Sequence, residues 1–175
     1  MNKDSEIKDV KSRRVFDSRG NPTIEVDIIT KNNTLGRAMA PSGASTGSSE
    51  ALELRDKDDM YDGKDVKNAI NIINEELAPL LINKSCLNQE NFDFILNSFD
   101  QSVLKSKIGG NVSIALSLAN YISASKYMAK PLYEHCSINN KYRVPIPEIQ
   151  IFGGGAHAGN ISSFQDFLIF SPKKN

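Results

Sequence analysis

Two stretches of this sequence hold residues whose types and spacing could do chemistry. The first, Pro41-Ser42-Gly43-Ala44-Ser45-Thr46-Gly47-Ser48-Ser49, is small and polar throughout. Its glycines free the backbone, and its amides and hydroxyls suit a loop that closes over an anion or a metal. Gly43-Ala44-Ser45-Thr46-Gly47 also has the spacing of a nucleophile elbow, in which Ser45 would serve a serine hydrolase. An elbow needs a strand feeding directly into it, and Pro41 fits that poorly. No Lys follows Gly47, so the stretch is not a P-loop. An ordinary surface loop, a ligand-closing loop and an elbow all stay open on these residues alone.

The second stretch is Gly153-Gly154-Gly155-Ala156-His157-Ala158-Gly159-Asn160. The glycines before His157 allow backbone geometries closed to other residues and let a ligand approach. A neutral imidazole there could donate to an oxyanion or assist proton transfer, and a histidine packed in a turn fits the spacing equally well. His135, Cys136 and His157 do not form a paired ligand spacing, which disfavours zinc. Gln165 and Asp166 follow His157; adjacent strand residues face opposite sides, so only one of them can share its pocket without a local bend. Asp17-Ser18-Arg19 is explained most simply by turn hydrogen bonding. Glu53-Leu54-Arg55-Asp56 and Lys57-Asp58-Asp59 read as solvated charge.

The elements that would position these residues change character along the chain. Thr23 to Thr30 alternates apolar and polar or acidic side chains, the pattern of a strand with one buried face. Lys31-Asn32-Asn33 signals a turn, Thr34 to Ala40 returns as the partner strand, and Val10 to Phe16 supplies another. From residue 64 the period becomes helical, with Val66, Ala69, Ile70, Ile73, Leu77 and Leu80 on one face and Pro79 near the end. A shorter helix is predicted from Gln89 to Asn97, with Phe92, Ile95, Leu96 and Phe99 facing inward. A third runs from about Asn111 to Met128, and its Ala and Ser content allows close packing. Strands first and helices after imply an α+β fold, an antiparallel sheet with helices on one face.

A break follows at Ser137 to Tyr142, and Val144-Pro145-Ile146-Pro147 reads as extended connecting chain. Ile149 to Phe152 and Phe164 to Phe170 suit short buried strands. The boundary falls near residue 140, giving a first domain over 1–140 and a second segment over 141–175 that is too short for a core of its own.

The chain's 175 residues include 21 Lys plus Arg and 21 Asp plus Glu, so the net charge is zero. That balance argues against a nucleic-acid surface, which shows as excess Lys and Arg. No apolar run is long enough to span a membrane, and the polar start predicts no secretory signal. Two cysteines fifty residues apart do not make a disulfide scaffold. The expectation is a soluble cytoplasmic protein that binds neither nucleic acid nor membrane.

The motifs in combination resemble the enolases. The matching pieces are Phe16-Asp17-Ser18-Arg19-Gly20-Asn21-Pro22-Thr23, then Pro41 to Gly47 with Glu50-Ala51-Leu52-Glu53-Leu54-Arg55-Asp56. Lys105-Ser106-Lys107-Ile108-Gly109 with Asn111 comes next, then Ser117-Leu118-Ala119 and Pro131-Leu132-Tyr133-Glu134-His135. Gly154 to Asn160 with Gln165 closes the series, which runs in family order over essentially the whole chain. Asp166 stands where enolases usually have Glu, and Gly153 where they usually have Asn.

The resemblance implies an enolase-type capping domain followed by the first strands of an incomplete β/α barrel. It implies a lyase that dehydrates 2-phosphoglycerate to phosphoenolpyruvate in glycolysis, with Mg2+ as cofactor and a homodimer as the complete protein. Ser45 would help hold the second magnesium as Ser42, Gly43, Ala44, Thr46 and Gly47 close over substrate. His157 and Asp166 would be catalytic, Gln165 would line the substrate pocket with them, and Arg19 and Glu25 would lie in the dimer contact. The ligands of the first magnesium are expected beyond Asn175, so activity would require the missing barrel. The other reading is an inactive capping module with an interaction or structural role.

Overall fold

The computed structural model describes residues 3–43, 47–137, 139 and 141–171. It divides into two compact units, Met1–Cys136 and Ser137–Asn175.

In the first unit, strands β1 (Ile7–Phe16), β2 (Pro22–Thr30) and β3 (Leu35–Met39) form an antiparallel meander in that order. Alternation sets its two faces. Ile24, Val26 and Ile28 are fully buried on one, while Glu25 and Asp27 point to the other, opposite Arg13 and Arg37. The Lys31–Asn33 turn forms as expected, with Asn33 at φ 68 and its N–H donating to the Thr30 carbonyl.

Helices cover the apolar face. The segment with a single helical period is α1 (Lys67–Asn71), a π turn (Ile72–Leu77) and α2 (Ala78–Leu81) in unbroken succession. The wider π turn shifts the phase of the residues after it. Ile73, Leu77 and Leu81 are therefore buried at steps of four, whereas Leu80, expected inside, is 43% exposed. Asn74, within that turn, accepts hydrogen bonds from the N–H and hydroxyl of Ser12 and so occupies the outer edge of β1.

Helix α3 (Gln89–Phe99) runs two residues past its expected end, capped where Asn88 accepts from the Asn91 N–H at 3.0 Å. Phe92 and Leu96 are buried, and Ile95 and Phe99 pack partly against the core. Helix α4 (Gly110–Tyr127) lies on β2 and β3. The approach is very close: a Cβ on Gly36 would sit 2.1 Å from the Ala119 carbonyl and 2.6 Å from the Ser123 Cβ. The small residues of α4 make that contact possible, as their composition suggests. A four-residue helix, α5 (Leu132–His135), ends the unit.

The second unit carries β4 (Ile149–Gly153) and β5 (Asp166–Ile169), paired antiparallel with an irregularity between Gln150 and Phe152. Among the described residues there is no closed barrel. The expectation of buried strands fails here: Ile149 is 55% exposed, Phe152 68% and Phe164 70%. A two-stranded sheet supplies no second layer to cover them.

Candidate active-site elements

The Asp17–Asn21 turn joins β1 to β2 through a single carboxylate. Asp17 Oδ1 accepts from the N–H groups of Arg19 and Asn21, both at 2.8 Å. Those bonds, Asn21's first, hold the Asp17 carboxyl below the usual range. The turn-bonding explanation of Asp17 is thus correct, and Arg19 extends from an exposed position. Phe16 to Arg19, with Thr23 and Met39 to Ser42, line a cleft of about 370 Å3.

The Ser42–Gly47 loop is anchored on both sides. Thr23 Oγ1 donates to the Ala40 carbonyl at 2.7 Å, and the Ala40 N–H to the Ile24 carbonyl at 2.9 Å, so the chain leaves the sheet from a fixed point. On the far side the Gly47 N–H donates to Glu50 Oε2 at 2.8 Å, and the Glu50 N–H to the Gly47 carbonyl at 3.2 Å. Ala44, Ser45 and Thr46 lie outside the described residues. The elbow reading of Ser45 fails on its flanks. β3 stops at Met39, and no helix follows Gly47 before Met60, so the strand–turn–helix that aims such a serine is absent.

The segment after the loop is fixed by Asn111 and by residues of Glu53–Asp56 that read as solvated charge in the sequence. Asn111 exchanges two hydrogen bonds with the Leu54 backbone, at 3.0 and 3.1 Å. Arg55, with only 14% of its side chain exposed, donates to the carbonyls of Pro22 and Lys64 and pairs with Glu53 at 2.8 Å. Asp56 accepts from the N–H groups of Lys67 and Asn68 at the start of α1. Glu53-Leu54-Arg55-Asp56 is therefore an anchor between sheet and helices. Farther along, Asp100 accepts from Ser102, Lys107 and Ile108, while the Leu104 carbonyl accepts from the Leu52 N–H. The Lys105–Gly109 motif is thereby tied to the same loop. No local spacing marks these long-range partners.

Glu25 faces an ionic cluster on the sheet. Arg13 reaches Glu25 at 2.7 Å and Asp27 at 2.8 Å, and Arg37 reaches Asp27 at 2.6 Å. The hydrogen bond from Arg37, opposed by burial and aided by Arg13, holds the Asp27 carboxyl low.

In the second unit His157 falls in the helical turn Gly155–Ala158, and its side chain lies outside the described residues. Gln165 accepts through its backbone carbonyl from the Gly154 N–H at 2.6 Å, and its side chain lies against Gly155, which has φ +60. A Cβ on Gly154 would stand 2.0 Å from the Phe164 carbonyl, so this crossing requires glycine. Asp166 pairs with Gly153 in the sheet, and its Oδ1 accepts from Gln150 Nε2 at 2.6 Å. Gln165 and Asp166 are thus directed to different neighbours.

Three carboxylates, Asp56, Asp58 and Asp65, place oxygens within 4.8 Å of one another. Each already has a partner: Asp56 caps α1, Asp58 accepts from the Met60 N–H, and Asp65 pairs with Arg14 at 2.7 Å. Among the described residues no helix is long and apolar enough to cross a membrane.

Comparison with known proteins matches these elements to one family. The family model described as "Enolase, N-terminal domain" covers residues 7–136. "Enolase 1" of Desulfitobacterium hafniense (strain Y51) is 47% identical over 163 residues, 93% of this chain and 37% of that protein. "Enolase" of Methanocaldococcus jannaschii is 43% identical over 169 residues, and that of Methanococcus vannielii 42%; each alignment covers 97% of this chain and 40% of the relative. The chain therefore spans about two-fifths of the length of these relatives. A domain match over the whole three-stranded sheet and its helical cover, with enolase in the names of all three relatives, leaves one assignment: this chain belongs to the enolase family, as its N-terminal capping domain and the segment after it.

Proposed function

We propose that this chain is the N-terminal part of an enolase-type lyase that dehydrates 2-phosphoglycerate to phosphoenolpyruvate once the remaining barrel is supplied. The observation that supports this reading is the extent of the likeness: it goes beyond the domain match over 7–136 to cover 93–97% of the chain. The domains are residues 1–140 for the cap and 141–175 for the start of the barrel.

In this reading the cap contributes a loop. Anchors at Thr23–Ala40 and Gly47–Glu50 fix the two ends of a stretch that would reach over an anionic substrate and exclude water. The loop's hydroxyl oxygens are hard donors of the kind magnesium accepts, and the family resemblance makes Ser45 the one that would hold the ion from this side. The ion, when bound, would supply charge stabilisation for the dianionic intermediate. The described carboxylate triad is engaged elsewhere and is not assigned to it. His157 would contact the substrate phosphate region, while Asp166 and Gln165 would line the pocket, Asp166 with a proton-transfer role. The complete protein would be a cytoplasmic homodimer with Arg19 and Glu25 at the contact.

The test is reconstitution. The purified chain is mixed with a polypeptide carrying the remaining barrel, Mg2+ and 2-phosphoglycerate, and phosphoenolpyruvate absorbance is followed. Activity requiring both polypeptides is expected; silence with correctly folded partners would remove the proposal.

The inactive-module reading draws on a different observation. The first unit has a continuous core from Ile7 to Ala124, including fully buried Ile24, Ile73 and Leu116 and nearly buried Phe92. Burying side chains of this size contributes roughly 1.5–3 kcal/mol each. That reading predicts a cooperative unfolding transition for residues 1–140 alone and protease cleavage confined to 144–170 in the full chain. Rapid digestion of both parts would eliminate it.

A further inference from the structure

We draw no further inference here: the strongest candidate, the exposed apolar patch that Phe16, Met39 and Tyr61 present beside the Arg19 cleft, carries none because nothing in the structure shows what covers it.

Discussion

Replacing Asp100 by Asn removes a charge from a site that is organised to hold one. Asp100 is 3% exposed. Its Oδ1 accepts from the Ser102 hydroxyl at 2.6 Å and N–H at 3.0 Å, and its Oδ2 from the N–H groups of Lys107 and Ile108 at 2.9 and 3.0 Å. Burial pushes the carboxyl up. The Ser102 hydroxyl and the three N–H groups more than offset that and bring it from 3.8 down to about 2. A depression of that size corresponds to roughly 2 kcal/mol of stability at neutral pH. A depressed carboxylate contributes fully above its unfolded value of 3.8, and the contribution is lost as pH falls through about 2. Asn retains one acceptor oxygen but turns an NH2 toward one of the two donor pairs, so at least one buried N–H loses its partner at a cost of about 1–3 kcal/mol. Asp100→Asn should therefore cost about 2–4 kcal/mol at pH 7. Urea unfolding followed by far-UV circular dichroism, repeated from pH 7 to pH 2, measures it. Other carboxylates titrate in the same window, so the informative quantity is the difference between the two proteins, which should narrow as pH falls from 4 toward 2. A difference under about 0.5 kcal/mol at pH 7, or one independent of pH, would refute the reasoning.

Two further substitutions test the packing and the pocket. Gly36→Ala places a methyl against the α4 backbone, where rotamer changes cannot relieve it, and should cost about 3 kcal/mol or more, lowering Tm by about 10 °C; an unchanged Tm would contradict the close β3–α4 contact. If the proposed reconstitution yields activity, Asp166→Glu would introduce the longer carboxylate that the enolase resemblance implies and should raise kcat by up to about a hundredfold, since an error of order 1 Å carries that penalty. Steady-state kinetics decide, and an unchanged or lower kcat would show that Asp166 is already correctly placed.

The parts legible in the sequence are those that a local period encodes. Ile24, Val26 and Ile28 alternate with Glu25 and Asp27, and the meander is built on those residues. Helix α4 is equally visible, down to the small residues that admit Gly36. Leu80 escapes the helical period because a π turn has no compositional mark: the residues are ordinary helix formers, and only the three-dimensional hydrogen bonding adds the extra residue per turn. Arg55 and Asp56 look solvated because a linear reading cannot see the carbonyls of Pro22 and Lys64 or the open end of α1. The apolar runs around Phe152 and Phe164 state a demand for cover, and a strand is buried only where that cover exists. For the candidate site, the family resemblance puts Ser45, His157, Gln165 and Asp166 forward as expectations, and of these Gln165 and Asp166 have side-chain neighbours in the described structure.

The outer face of the sheet has an electrical consequence. Lys11, Arg13 and Arg37 stand among Asp9, Glu25 and Asp27, three positive groups against three negative, each cation within 2.8 Å of a carboxylate. Charges interleaved at that spacing form a compact multipole whose potential decays much faster than that of a single ion, and at physiological salt little survives beyond the Debye length of about 8 Å. An approaching molecule is neither steered nor repelled from afar. Whatever docks on this strand face must find it by diffusion and hold it through contacts made at touching distance, so its association rate will sit near the unsteered range and respond little to ionic strength.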